Sequence, residues 1–115
     1  MSQDKITVVI NTFNSEDKIH LCLKSINLSV KVIVIENSNN TNFKNELEEN
    51  YKNVQCVLAK KNLGYAKGNN LGLSKVESQY ALILNPDTTL EDNTIDNFLA
   101  TASRHPDFAI IGPAK

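Results

Sequence analysis

The sequence predicts an α/β protein with a Rossmann-like, three-layer α/β/α architecture and a mostly parallel sheet. Three observations support this class. Short runs rich in β-branched residues alternate along the chain with longer stretches of helical period. The runs carry apolar residues on both faces instead of at every second position, so helices are expected to cover both faces of the sheet. Polar or glycine-rich segments follow the first four runs, as expected where parallel strands end at one edge.

The first half of the chain predicts two strands, each followed by a helix. Residues 6–10 form a run of strand length dominated by β-branched residues, and residues 30–35 form a second run that stops at Glu36. Between them, apolar residues recur at spacings of three and four over residues 16–28, which predicts a helix with one core face. Residues 43–51 show the same period and predict a short surface helix.

The second half continues the alternation. Residues 54–59 and 80–84 predict the third and fourth strands, with a glycine-containing helix over residues 66–76 between them. Residues 89–92 open an amphipathic helix, and residues 108–111 predict a last short strand. Right-handed crossovers between parallel strands then give a strand order of about 3-2-1-4.

Length, charge and cysteine content narrow the functional classes. With 115 residues, the chain is one domain or a piece of one. Its 12 Lys+Arg balance 13 Asp+Glu without a basic block, so no nucleic-acid partner is expected. Cys22 and Cys56 lack metal-site spacing and are predicted to be buried thiols.

The distribution of apolar residues indicates where in the cell the protein is expected. No apolar run approaches the roughly 20 residues that span a bilayer, and residues 1–10 lack the pattern of a signal peptide. The protein is therefore expected in the cytoplasm. Contact with the inner face of a membrane is expected only through parts that this sequence does not contain.

Four polar segments are predicted to meet at the carboxyl edge of the sheet, termed the rim: residues 11–15, 36–40, 62–70 and 85–87. This convergence favours a nucleotide site. Glu36 offers an acceptor for a base N–H or a ribose hydroxyl, and Asp87 offers a ligand for a cation that neutralises a diphosphate. Three of the four glycines lie at positions 64, 68 and 72, where chain and ligand can approach without an intervening Cβ.

Each of these features also has a purely structural explanation, which the residues alone leave open. Asn85-Pro86-Asp87 suits an ordinary turn, and Glu36 suits a solvated strand end. The glycines suit a helix packed closely on a neighbour. Their spacing matches neither a dinucleotide-binding fingerprint nor a phosphate-binding loop.

Together these motifs resemble the nucleotide-binding half of the family 2 glycosyltransferases, which have the GT-A fold, over about residues 7–92. Residues 8–14 are similar to the family's opening strand and loop, and residues 32–38 to its second motif, whose acidic residue binds the base. Residues 62–72 resemble the Asn-x-Gly-x-x-x-Gly-x-Asn-x-Gly segment that lines the nucleotide, which is the most specific match. Residues 82–87 are similar to the D-x-D variant of rhamnosyltransferase-like members, with Asn85 replacing the first Asp.

The resemblance implies a site and a chemistry. A sugar would pass, with inversion, from a UDP- or dTDP-linked donor to an acceptor glycan or lipid-linked saccharide, in polysaccharide or cell-wall biosynthesis. Asp87 would hold the metal, Mg²⁺ or Mn²⁺. The nucleotide would contact Asn11, Thr12, Phe13, Asn14, Glu36, Ser38, Asn62, Gly64, Gly68, Asn69 and Asn85.

The resemblance also implies a missing part. In the family, the acceptor-binding half follows the D-x-D region and carries the general base that deprotonates the acceptor hydroxyl. Residues 1–115 are therefore predicted to be a single domain, the truncated donor-binding half of a GT-A enzyme, with no catalytic base of its own. Such a chain is expected to bind a nucleotide sugar weakly and to transfer nothing alone. Its exposed sheet edge is a candidate surface for homodimerisation.

Two other classes remain open. One is a nucleotidyltransferase-like enzyme, which usually carries a glycine-rich, basic loop near its N-terminus; residues 11–15 have neither property. The other is a non-catalytic nucleotide-binding or assembly module, which would associate through its sheet edge without any effect of nucleotide.

Overall fold

The computed structural model of the chain describes residues 5–91, 94–104 and 110–111. Strands and helices alternate in the order β1 (Ile6–Thr12), α1 (Ile19–Lys24), β2 (Lys31–Glu36), α2 (Thr41–Asn50), β3 (Val54–Leu58), α3 (Gly64–Ser74), β4 (Tyr80–Leu84), α4 (Thr94–Arg104) and β5 (Ile110–Ile111). The strands form one sheet in the order β3-β2-β1-β4-β5, and every neighbouring pair is parallel. The predicted α/β class and the order 3-2-1-4 are confirmed, and β5 extends the sheet beyond β4.

β1 is the central strand, and its register aligns its neighbours. Residues 7–12 pair with residues 31–36 of β2, and residues 6–10 pair with residues 80–84 of β4. Residues 6–10 are all buried, which is the pattern of a parallel strand covered on both faces. Because the three strands run parallel in this register, their carboxyl ends lie at nearly the same level.

Helices cover both faces of the sheet. Val8 and Ile10 of β1 belong to one core cluster with buried residues of α1, α2 and α4, among them Ile19, Leu23, Phe43, Leu47, Ile95 and Leu99. On the opposite face, Gly72 of α3 faces Val9 and Ile35. Since successive strand residues point to opposite faces, Val8 and Val9 lie in different layers. This is the predicted three-layer arrangement.

α1 is shorter than predicted. Periodicity predicts a helix over residues 16–28, but the observed helix has 6 residues. Before it, the chain turns around the Ser15 carbonyl, which accepts from two backbone N–H groups at 3.1 Å. After it, Ile26 N donates to Leu23 O at 3.1 Å, and this tight turn carries Ile26 into the core. A turn with three-residue bonds keeps the spacing on which the periodicity depends.

Other boundaries also differ from the prediction. β1 extends two residues further, so Asn11 and Thr12 are strand residues, and α3 begins at Gly64 instead of residue 66. α4 begins at Thr94, later than the predicted opening at residues 89–92, of which residue 92 lies outside the described residues. The predicted last strand is present as β5, while residues 108 and 109 lie outside the described ranges.

The edges of the sheet are β3 and β5. A homodimer through a sheet edge stays a prediction, as does a cytoplasmic location. Within the described ranges, no helix is both long and apolar enough to cross a membrane.

Cys22 and Cys56 are free, buried thiols, as predicted. Burial raises the pKa of both to about 12, and for Cys22 the negative charge of Asp87 adds to the effect. Burial acts in this direction because it disfavours the charged thiolate. Since the thiolate is the reactive form, neither cysteine is suited to nucleophilic chemistry at neutral pH.

We expect the free energy of unfolding to fall as the pH rises from about 9 to about 12. The unfolded chain loses thiol protons at the ordinary pKa of 9.0, whereas the folded chain keeps them up to a pKa of about 12. The contribution of the thiols to stability is therefore complete below about pH 9 and lost as the pH passes through the folded pKa. Urea unfolding measures this between about pH 8 and about pH 11. The free energy of unfolding should fall less steeply with pH in a Cys22→Ala, Cys56→Ala double variant than in the wild type. Equal slopes for the two proteins would contradict this.

Candidate functional site

The rim is formed in the structure by the carboxyl ends of β1, β2 and β4. Thr12 pairs with Glu36, and Ile10 pairs with Leu84. The segments that follow these strands therefore leave the sheet side by side, as the sequence predicts for residues 11–15, 36–40 and 85–87. In open α/β sheets this edge is where ligands bind.

Asn37, which is absent from the set of predicted site residues, holds the rim together. Its side chain is 3% exposed. Nδ2 donates to Asn11 Oδ1 at 2.5 Å and to Thr12 O at 2.7 Å, and Oδ1 accepts from Leu63 N at 3.0 Å. One amide therefore joins the ends of β1 and β2 to the entry of α3. Its place directly after the acidic residue that ends β2 is the one signal in the sequence that marks it.

Asn11 extends this connection into the first turn of α3. Its Nδ2 donates to Gly64 O at 3.0 Å and to Tyr65 O at 3.3 Å. The side chain of Asn11 thus accepts from the residue directly after β2 and donates to the first turn of α3. Both the oxygen and the nitrogen of its amide therefore have protein partners. A contact between Asn11 and a nucleotide stays a prediction.

Two glycines of α3 allow the helix to lie directly on the sheet. A Cβ on Gly68 would lie under 3.0 Å from the amide of Asn11, and a Cβ on Gly72 would lie equally close to Val9. For these two positions the structure supports the close-packing explanation. Gly64 differs, because its φ is +77° and nothing lies within 4 Å of the position of a Cβ. Gly64 therefore leaves open surface at the start of α3.

Glu36 is completely buried, at 0% exposure, and its carboxylate organises the loop after β2. Oε1 accepts from Ser38 Oγ at 2.7 Å, while Oε2 accepts from Asn40 N at 2.8 Å. Thr12 Oγ1 lies 3.5 Å from Oε1, but the closer acceptor for its hydrogen is Ile35 O at 3.0 Å. Asn40 in turn caps α2, because its Oδ1 accepts from Phe43 N at 3.0 Å. A buried carboxylate needs such donors to offset its lost hydration. The solvated strand end considered from the sequence is therefore wrong, and the base contact stays a prediction.

Two exposed aromatic side chains flank this network. Phe13, directly after β1, is 52% exposed, and Tyr65, in the first turn of α3, is 63% exposed. Asn14 has a φ of 52°, and its backbone N–H donates to Ser38 Oγ at 3.4 Å. The loop after β1 is thus tied to the loop after β2, with an aromatic face left open to solvent.

The segment after β4 presents an exposed carboxylate beside these loops. Thr88 N donates to Asn85 O at 3.0 Å, which closes a turn around Asp87. Asn85 is half-buried and Asp87 is exposed. The predicted pair of oxygen-bearing side chains is therefore delivered to the rim, on a turn.

Comparison with known proteins identifies the chain. Residues 7–114 match the family model described as Glycosyl transferase family 2. The chain belongs to this family. Relatives of this family 2 chain include the teichoic acid poly(glycerol phosphate) polymerase of Staphylococcus epidermidis, 26% identical over 104 residues, and the low-salt glycan biosynthesis hexosyltransferase Agl10 of Haloferax volcanii, 26% identical over 116 residues. The alignments cover 84% and 96% of this chain but 14% and 36% of those proteins.

Solved structures support the same fold for the family 2 chain. S. aureus TarS 1-349 superposes with a TM-score of 0.75 at 23% identity, over 88% of this chain and 33% of that one. The same TarS fragment in complex with UDP gives a TM-score of 0.74 over 88% of this chain and 32% of that one, also at 23% identity. These likenesses confirm the GT-A fold.

Two asparagines of the glycine-rich segment of this family 2 chain, Asn62 and Asn69, differ in their hydrogen bonding. Asn62 Oδ1 accepts from Gly64 N at 3.0 Å and shapes the entry to α3. Asn69 is 5% exposed, and its Oδ1 has no hydrogen-bond partner among the described residues. Buried polar atoms normally have partners, and this acceptor, one residue after Gly68, has none in the described part of the chain.

The side chains at the rim fit a cation only when a substrate completes its ligands. In the described part of the chain, no group of three or more His, Cys, Asp or Glu side chains is placed to hold a metal ion. Asp87 offers one carboxylate, and Asn85 offers a neutral amide oxygen. Mg²⁺ is commonly held in this way, by one or two carboxylates together with substrate phosphates and water.

Proposed function

We propose that this family 2 domain is the donor-binding half of a glycosyltransferase, which holds a nucleotide-diphosphate sugar at the rim for transfer to an acceptor hydroxyl. The observation that carries the proposal is the placement of exposed Asp87 on the same sheet edge as the exposed face of Phe13. A nucleotide sugar needs both, an apolar face for its base and charge compensation for its diphosphate. TarS, whose structure contains UDP, supports a UDP-linked donor; a dTDP-linked donor has the same requirements.

The nucleoside part of the donor is proposed to lie on the loops after β1 and β2. Phe13 offers an aromatic face for the base, and stacking on such a face is favourable for every base. Asn14 and Ser38 supply polar groups beside it. Glu36, buried beneath them, is proposed to act mainly by fixing the loop that carries Ser38, since its carboxylate oxygens already accept from protein donors.

The diphosphate is proposed to lie over the turn that follows β4. Asp87 and Asn85 would hold Mg²⁺ or Mn²⁺, which offsets negative charge on the departing diphosphate when it is bound. The open backbone at Gly64 is proposed to contact the remainder of the donor. Asn69 would reach a sugar or ribose hydroxyl only if its side chain turns out of the packed face, because its Oδ1 is buried.

The acceptor site and the general base are proposed to belong to further sequence of the same enzyme. The chain spans 14% and 36% of the lengths of the relatives reported above, so most of each relative lies outside the matched part. By itself the chain is proposed to bind nucleotide sugar weakly and not to transfer it. The acceptor is proposed to be a glycan or lipid-linked saccharide, with inversion at the anomeric carbon.

A nucleotide titration tests the proposal. UDP, dTDP and GDP are titrated calorimetrically with and without Mn²⁺ into the wild type, Asp87→Ala and Glu77→Ala. We expect one nucleotide to bind more tightly with Mn²⁺, and we expect this gain to disappear in Asp87→Ala. Glu77 is an exposed carboxylate before β4, at the opposite edge of the sheet, so Glu77→Ala should retain the gain.

Two results of this titration would contradict the proposal. Equal affinities with and without Mn²⁺ for every nucleotide would refute the metal-assisted donor site. Concentration-dependent association that no nucleotide alters would instead favour the assembly module.

A further inference from the structure

We infer that two residues are positioning residues for Asp87: Cys22, within α1, and Ser25, the C-cap of α1. They hold the loop of residues 85–90 at its two ends. The inference rests on the proposed function, because it concerns the carboxylate that is proposed to serve the diphosphate. Neither residue belongs to the motifs that point to the rim, and neither is expected to touch the donor.

Ser25 fastens the far end of the loop. Its Oγ accepts from Leu90 N at 2.9 Å and donates to Cys22 O at 2.6 Å. Because the hydroxyl hydrogen is used within α1, an oxygen lone pair is aimed at the loop. This bond joins residues 65 positions apart in the chain, so it is a tertiary connection and not part of a local turn.

Cys22 fastens the near end. Its Sγ lies 3.8 Å from Asn85 O, within reach of a weak S–H donor. The same carbonyl accepts from Thr88 N at 3.0 Å, so the contact falls on the oxygen that closes the turn around Asp87. α1 therefore contacts the loop at Asn85 and again at Leu90, on either side of the exposed carboxylate.

Asp87 depends on these ends for its position. Its side chain is exposed and makes no hydrogen bond or ion pair with any residue in the described part of the chain. α1 provides a rigid support, because Ile19 and Cys22 are 0% exposed and Leu23 is 3% exposed. A carboxylate carried on a loop that is held at both ends loses less conformational freedom when a cation and a diphosphate bind, and binding is tighter for that reason.

Ser25→Ala is the test, and the chain contains a matched control. Ser74, at the end of α3, donates from Oγ to Leu71 O at 2.6 Å, as Ser25 donates to Cys22 O, but no loop amide donates to it among the described residues. The wild type, Ser25→Ala, Ser25→Thr and Ser74→Ala are compared by two measurements. One is the gain in UDP or dTDP affinity on adding Mn²⁺, and the other is the rate of amide hydrogen exchange at Leu90.

We expect Ser25→Ala to reduce the Mn²⁺-dependent gain by about three- to tenfold, the range for loss of one hydrogen bond, and to speed exchange at Leu90. Affinity without Mn²⁺ should change little, since the hydrogen bonds of Ser25 within the described residues go to α1 and to Leu90 and not to the loops after β1 and β2. Ser25→Thr keeps the hydroxyl and should behave as the wild type does, and so should Ser74→Ala. Cys22→Val, which removes the weaker donor, should lower the same gain by about twofold.

The outcomes separate the inference from the proposal beneath it. If the wild type shows a gain that Asp87→Ala abolishes, the donor site stands; an unchanged gain in both Ser25→Ala and Cys22→Val then overturns the inference alone. If the wild type shows no gain, the metal-assisted donor site fails and the inference fails with it. Equal losses in Ser25→Ala and Ser74→Ala would indicate a general loss of stability and would also overturn it.

Discussion

Replacement of Asn37 by leucine is expected to lower the free energy of unfolding by about 2–5 kcal/mol. Leucine fills a similar volume but offers no hydrogen bonds at a site that is 3% exposed. Leu63 N loses its acceptor and Asn11 Oδ1 loses a donor. Thr12 O is less affected, because it also accepts from the backbone N–H of Asn37 at 3.0 Å. A fully buried group left without a partner costs about 1–3 kcal/mol, and because both of these hydrogen bonds are part-buried, two such costs set the upper end of the expected range.

Urea unfolding of Asn37→Leu measures this cost, and Asn42→Leu is the matched control. Asn42 is an exposed asparagine in the first turn of α2, so its replacement should change stability by no more than about 0.5 kcal/mol. The dependence of the free energy on urea should be unchanged in both variants, since neither alters the surface that unfolding exposes. Equal midpoints for the two variants would show that the Asn37 network does not stabilise the fold.

The strand order and the layers could be predicted from the sequence because they depend on local patterns. Residues 6–10 and 32–35 are β-branched at every position and place apolar side chains on both faces of the sheet, and such strands are stable only between two layers of helices. The ends of elements were less predictable. Asn11 and Thr12 are polar and yet extend β1, because their hydrogen-bond partners come from β2 and from the residue after it: Ile35 O accepts from Thr12, and Asn37 donates to Asn11.

The structural role of each rim residue could not be predicted from its residue type. Asn37, Asn39 and Asn40 lie within four positions, yet the first joins three segments, the second has a φ of 57° and the third caps α2. The partners of Asn37 lie 25 and 26 residues away, so no local pattern contains them. Glu36 is different, since two of its partners, Ser38 and Asn40, lie within the same loop.

The glycines of α3 show why the alternatives remained open. A glycine that admits a ligand and a glycine that admits a neighbouring strand have the same sequence signal. Only the structure separates them, because Gly68 and Gly72 face Asn11 and Val9 whereas Gly64 faces open space. The match to the family's glycine-rich segment therefore reflects packing at two of its positions.

Gly72→Ala is expected to destabilise the protein by about 1–3 kcal/mol, although alanine ordinarily stabilises a helix relative to glycine by about 1 kcal/mol. The new Cβ would overlap Val9 Cγ1 and lie 3.3 Å from Ile35 Cγ1. Both side chains are 0% exposed within the centre of the sheet, so neither can move away without disturbing other packed residues. The helix must therefore shift outward from β1.

A double-mutant cycle with Val9→Ala measures whether this contact is the cause. Val9→Ala removes the methyl groups that the new Cβ would meet, so the double variant should be more stable than additivity predicts by about 1–2 kcal/mol. Gly64→Ala is the control, because its expected cost of about 1–2 kcal/mol arises from a positive φ and not from a contact. That cost should add to the cost of Val9→Ala without coupling. If Gly72→Ala and Val9→Ala are additive as well, α3 is not held at its observed distance by this contact, and the close approach that lets Asn11 reach Gly64 and Tyr65 must have another origin.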